Sequence, residues 1–188
     1  MRAREWVTGT PRSRHLLAIA LLTGCARADR PHVPTTASAH ETAVISAALT
    51  ELFARREHAQ AITIWEDGRE FAPTLAAFGG VSDDTDTMAL VSTRAQTLAV
   101  PFRVERTTLR DMKAFFRTDP EGWDAWFEAH PGNAGVVEIV RPRVTGDSAE
   151  MIVGRVCGEH CRTAWRLQLG RTGDRWTVRT VAVVRVPR

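Results

Sequence analysis

Three features of the sequence predict an α+β domain with N-terminal helices packed on a four-stranded antiparallel C-terminal meander sheet. Before Pro131 the apolar residues recur at helical spacing. After Gly135 they recur at every second position. Short turn-like stretches separate the alternating runs, so consecutive strands pair as a meander that the helices cover on one face.

The elements follow in order. Ser38 and Glu41 have the spacing of a capping box. Beyond them Ile45, Ala48, Leu49, Leu52 and Phe53 form one stripe, which predicts a helix over about 39–57. "AITIW", 61–65, is short and β-branched and reads as a strand. Met88, Val91, Ala95 and Leu98 predict a helix over about 85–98, ended before Pro101. Thr107 or Thr108 caps another, with Leu109, Met112 and Phe116 on one side. In "DPEGWDAWFEAHP" Asp119 caps and Pro120 takes the first helical position. Trp123, Trp126, Phe127 and His130 then share a face, and Pro131 closes the helix. "GVVEIVRPRV", "AEMIVGRVC", "CRTAWRLQL" and "RWTVRTVAVVRV" are the four strands, with "TGDS", "GEH" and "GRTGD" as separators. There is no internal repeat.

The N-terminus has a different character. Arg2, Arg4, Arg12 and Arg14 precede the apolar run "LLAIALLTG", which is too short to span a bilayer. It ends in Leu-Thr-Gly-Cys, which resembles the bacterial lipobox. The resemblance implies a signal peptide over 1–24 and a lipid on Cys25. It also implies localisation in the cell envelope, on the extracytoplasmic side, with the membrane as a partner through that lipid. With alanine rather than aspartate at position 26, it implies the outer membrane in a Gram-negative cell. Residues 25–38, polar and carrying two prolines, read as a tether to a single domain over 39–188. Removing 1–24 takes four of the 25 basic residues and one of the 22 acidic residues. That leaves 21 of each, so the basic surplus belongs to the signal, and no nucleic-acid partner is expected.

Counting outward from the turn 158–160 sets Arg155 opposite Thr163, Val153 opposite Trp165 and Met151 opposite Leu167. The odd-numbered set is the core face, and Cys157 falls opposite Cys161 at a separation a disulfide can bridge. Outside the cytoplasm such a bond persists, and Cys25 accounts for the odd cysteine. Two other readings remain. A metal clip of Cys157, His160 and Cys161 lacks a fourth ligand. A catalytic dithiol ordinarily has two intervening residues and a helix N-terminus.

The C-terminal half resembles a group of uncharacterised secreted bacterial proteins and lipoproteins. Trp123, Phe127, Pro131, Gly135, Cys157, Gly158, Cys161 and Trp176 carry the resemblance, over about 120–186. Arg162 stands where that group has glycine after the second cysteine. The resemblance implies a fold and an envelope location, and no activity.

No serine–histidine–aspartate order, phosphate-binding loop or zinc-protease motif occurs, and no cofactor or metal is implied. Glu57-His58 and Glu66-Asp67 read as solvated charge. Asp83–Asp86 lacks the glycine and distal glutamate of a calcium loop. His130, beside the aromatic face, and Glu138, on the first meander strand, are the candidate catalytic residues. The tryptophans read as core, with an apolar ligand pocket as the other possibility. The expected function is an envelope-anchored lipoprotein acting as a non-enzymatic binding module, for an envelope protein or a small apolar ligand. The alternatives are a small cone-shaped hydrolase or lyase using His130, and a structural or assembly factor of the envelope.

Overall fold

The computed structural model describes residues 35–66, 90–118 and 122–184. The expected signal peptide, Cys25 and most of the tether lie outside the described residues. So do Asp67, Asp83–Asp86, the expected cap at Asp119 and Pro120, and the first part of the helix expected over 85–98.

Nine strands and three helices make up the described chain: β1 (Thr35–Thr36), α1 (Ala39–Leu49), β2 (Ala61–Trp65), β3 (Val91–Ser92), β4 (Arg103–Thr107), α2 (Leu109–Thr118), α3 (Trp123–Ala129), β5 (Asn133–Ile139), β6 (Arg143–Thr145), β7 (Ser148–Val156), β8 (Arg162–Thr172) and β9 (Arg175–Val184). Helix α1 continues as wide π-helical turns over Thr50–Arg56.

The domain is α+β, as the sequence predicts, but the first expected meander strand, 135–144, is broken at 140–142 into β5 and β6, both paired with β7. The sheet is larger than four strands, and mixed. Seven strands run in the order β4-β2-β5-β7-β8-β9, with β6 also pairing with β7. β2 lies parallel to both β4 and β5, while the β5-β7-β8-β9 steps are antiparallel. The reason for the difference is physical. Parallel neighbours need long crossovers, so turn chemistry leaves no local mark of their pairing.

Helix α1 begins as its sequence dictates. Ser38 Oγ accepts from the Glu41 amide at 3.2 Å, and Glu41 accepts from the Ser38 amide at 2.7 Å. Its stripe buries Ile45, Ala48, Leu49, Leu52 and Phe53 against Ile62, Ile64, Val137, Ile139, Val153, Leu167 and Leu169. Each such large side chain contributes about 1.5–3 kcal/mol by leaving water. Met151, Trp165 and Trp176 join this core, so the strand phase read from the sequence holds. The β7–β8 register is the expected one: Arg155 opposite Thr163, Val153 opposite Trp165, Met151 opposite Leu167.

Helices cover both faces of the sheet, contrary to the single covered face expected. Trp65 and Val136 follow and precede residues of the main core, Ile64 and Val137, so they point the other way. There they meet Met112 and Trp126, with Phe115, Phe116, Trp123 and Phe127 around them, from α2 and α3.

The helix expected over 85–98 is absent in its described part, where β3 and a turn at 94–96 stand instead. Glu66 explains this. It is buried, not solvated, and accepts from Ser92 Oγ (2.6 Å), the Thr93 amide (3.2 Å), Thr93 Oγ1 (3.0 Å) and Arg106 Nε (3.2 Å). An amide given to a buried carboxylate is not available to a helix.

Candidate functional site

On the face carrying α2 and α3, side chains from β2, β4, β5 and the end of α3 converge. The convergence starts from the end of α3. His130 leaves the helical region (φ −126°, ψ 63°), and its amide still bonds the Trp126 carbonyl at 3.0 Å. Pro131 prevents continuation, and Gly132 takes φ +73°, a turn conformation that suits glycine. The chain then enters β5 at Asn133.

This turn lays the His130 ring on Trp126, with centroids 4.6 Å apart and planes 25° from parallel. His130 therefore lies on the aromatic face, as its spacing predicts. Its Nδ1 is 2.7 Å from Glu105 Oε2 on β4. The same carboxylate oxygen accepts from Asn133 Nδ2 at 3.1 Å and Thr63 Oγ1 at 3.3 Å. Glu105 Oε1 accepts from Arg103 Nε at 2.8 Å. Asn133 Nδ2 also donates to Thr63 Oγ1 at 2.8 Å, and Asn133 Oδ1 accepts from the Gly135 amide at 2.9 Å. Partial burial pushes the Glu105 pKa up, but the hydrogen bonds and charges of His130 and Arg103 outweigh it, and the net direction is down. The carboxylate is held ionised, with three donors on Oε2 and one on Oε1.

Glu138 sits on the same sheet face, on β5 opposite Gly154. It is 2 % exposed, and its Oε1 has no hydrogen-bond partner. Burial pushes its pKa up to about 8, opposed by the charge of Arg162. At neutral pH it is a protonated acid. The two candidate catalytic residues are not joined: His130 bonds Glu105, and no hydrogen bond links it to Glu138.

Glu57, at the end of the first helical segment, forms an ion pair with Arg155, whose guanidinium lies over Trp165, 5.3 Å from its centroid. Burial raises the Glu57 pKa and Arg155 opposes it. Cys157 and Cys161 lie at disulfide distance, with Cα atoms 4.9 Å apart at the β7–β8 hairpin end. Gly135, on the neighbouring strand, has φ +118°, and a Cβ there would press into the Val156 carbonyl. Among the described residues no group of three or more His, Cys, Asp or Glu is placed to hold a metal ion.

At the other end of the same face lies a recess of about 360 Å3 between β6, β7, β8 and β9. Arg143, Thr145, Ser148, Glu150, Gln168 and Arg179 are among its lining residues. Two hidden features kept it out of the sequence reading. β6 is only three residues long, and a bulge in β9 between the partners of Gln168 and Leu169 breaks the alternation.

Comparison with protein-family models, characterised proteins and solved structures finds no match for this chain.

Proposed function

We propose that this chain is a lipid-anchored envelope protein whose folded domain is a binding module working through the β6–β9 end of its second sheet face. The observation that supports binding over catalysis is where hydrogen-bonding capacity remains. Around His130 most polar groups bond one another through Glu105, and among the described residues His130 Nε2 is the ring nitrogen left without a partner. The β6–β9 recess, by contrast, is open and lined with several side chains that have capacity left, Arg143, Arg179 and the Gln168 amide among them. A hydrolase or lyase reading wants His130 and Glu138 in one cleft, and His130 is held by Glu105 instead. The location is supported by Leu-Thr-Gly-Cys at 22–25 and by two further cysteines at disulfide distance. The finer elements, cleavage before Cys25 and sorting to the outer membrane, rest on the lipobox resemblance alone. Among the described residues no helix is long and apolar enough to cross a membrane, so anchoring would fall to the lipid.

Fractionation of a bacterium expressing the full chain tests the anchor. Wild type should enter the membrane fraction at the processed size and incorporate labelled fatty acid. Cys25→Ser should lose the label. A variant that stays membrane-bound at an unchanged size overturns the anchor. For the module, a solute that raises the thermal midpoint should do so without being turned over, and substitution of Gln168 or Ser148 should abolish the rise. Turnover lost in His130→Ala would overturn it.

A further inference from the structure

We propose that the β6–β9 recess binds a phosphate group carried on a soluble ligand, an inference that rests on the binding reading above. Arg143 and Arg179 both line the recess, and neither makes an ion pair or hydrogen bond within the described chain. The one carboxylate among the lining residues, Glu150, stands opposite Arg143 in the β6–β7 ladder and also lies 3.4 Å from Arg166. With Arg166 counted, three guanidiniums stand against one carboxylate at the recess, although the chain after residue 24 is balanced overall.

The other lining groups extend this donor set. Thr145 and Ser148 present hydroxyls. Gln168 Oε1 already accepts from Thr180 Oγ1 at 3.1 Å, which leaves its amide N–H groups to donate. Two forked guanidiniums, two hydroxyls and an amide offer more donors than the two oxygens of a carboxylate can use. The three terminal oxygens of a phosphate monoester, spread tetrahedrally, suit them better.

The backbone shows how Arg179 is placed. Gln168 pairs with Thr180 and Leu169 with Val178, so Arg179 is the extra residue of the bulge. A bulge re-aims a side chain, and here it turns Arg179 across β8 onto Gly170. A Cβ at Gly170 would coincide with the guanidinium. Gly170 does not have a positive φ, so its backbone does not require glycine. Within a strand glycine is destabilising relative to alanine, and what its absent side chain provides here is the seat for Arg179.

A membrane headgroup is the other source of phosphate. It fits less well, because the one large hydrophobic side chain exposed among the described residues, Val183, shares the strand phase of the main-core face, away from the recess. Among the described residues no large hydrophobic side chain is exposed beside the recess.

Calorimetric titration of the full chain in a non-ionic detergent, at constant ionic strength, tests the proposal. The probes are inorganic phosphate and short-chain phosphatidylglycerol dispersed as monomers. Phosphate should bind, and Arg143→Gln and Arg179→Gln should each weaken it about tenfold or more. Gly170→Ala should weaken it similarly by displacing Arg179. Arg175→Gln, on the same strand but outside the recess, should leave it unchanged. Absent phosphate heat, equal affinity in all four variants, or binding of the lipid headgroup alone would each overturn the proposal. A neutral solute that binds the recess when phosphate does not would overturn the phosphate assignment and leave the binding module standing.

Discussion

His130 Nδ1 lies 2.7 Å from Glu105 Oε2, which ties the residue that ends α3 to the edge strand of the sheet. The two residues are 25 positions apart, and the tie passes over Thr63 of the intervening strand β2. It clamps the α2–α3 aromatic layer where that layer meets β4.

This clamp should be measurable. Glu105→Ala removes the acceptor from His130, Thr63, Asn133 and Arg103 together. It should cost about 1–3 kcal/mol, as for polar groups left without a partner. Glu105→Gln should cost less, because an amide oxygen still accepts. The pH dependence has a definite sign. Glu105 is depressed below the ordinary carboxylate value, so its contribution is complete above pH 4.5 and fades as pH falls through the lower folded value. Urea midpoints at pH 7 and pH 3 check both statements. Equal midpoints for wild type and Glu105→Ala at pH 7 would remove the clamp.

Glu138 predicts the opposite sign. Its folded value of about 8 lies above the ordinary 4.5, so the folded state binds a proton that the unfolded state releases between those values. Stability should fall as pH rises from about 4.5 to 8, by an amount on the order of a few kcal/mol. Below 4.5 both states are protonated and the dependence ends. Glu138→Gln keeps the shape and cannot ionise. It should match wild type near pH 4.5 and exceed it at pH 9. Parallel stability curves for the two proteins across this range would show that Glu138 is not a buried acid.

The hairpin pair predicts a covalent difference. Intact mass of the chain expressed in an oxidising compartment and purified without reductant should rise by two hydrogens on reduction. Replacing both cysteines by serine should cost only about 2 kcal/mol, because so short a loop restricts the unfolded chain little. The fold should survive, since the ladder from Arg155–Thr163 to Ala149–Leu169 is intact without the bond. Two thiols that alkylate freely without reductant would dismiss the staple.

What the sequence made legible is what is local. Ser38 and Glu41 are three residues apart, and their capping box formed as read. Cys157 and Cys161 flank a three-residue turn, and one turn sets the register of the strands around it. His130 follows Trp126 by four residues, which places both on one helical face. Glu105 escaped for a different reason. "RVERT" has a single aliphatic residue, and its strand character comes from pairing with β2, which is 42 residues earlier in the chain at Thr63. Asn133 was hidden likewise, because it meets Glu105 only when β2 and β5 run parallel. His130 was therefore placed on its helical face, while the carboxylate it meets, Glu105, is near in space rather than in sequence, unlike Glu138.

Glu66 gives the most severe test of that lesson, because the sequence placed it in solvent. Its two oxygens accept four hydrogen bonds, from Ser92, twice from Thr93, and from Arg106. Thr93 is fully buried, so its amide and hydroxyl have no water to turn to when the carboxylate goes. Glu66→Ala should therefore cost more than a solvated glutamate would, about 2–4 kcal/mol for two stranded donors and a half-buried guanidinium. Glu66→Gln keeps an acceptor oxygen and should recover part of this, but its amide N–H groups face the Thr93 and Arg106 donors. Amide exchange locates the effect: protection should collapse at Thr93 and along β3, and persist in the β7–β8 ladder. A loss below about 0.5 kcal/mol, the usual range for a surface substitution, would return Glu66 to the solvent.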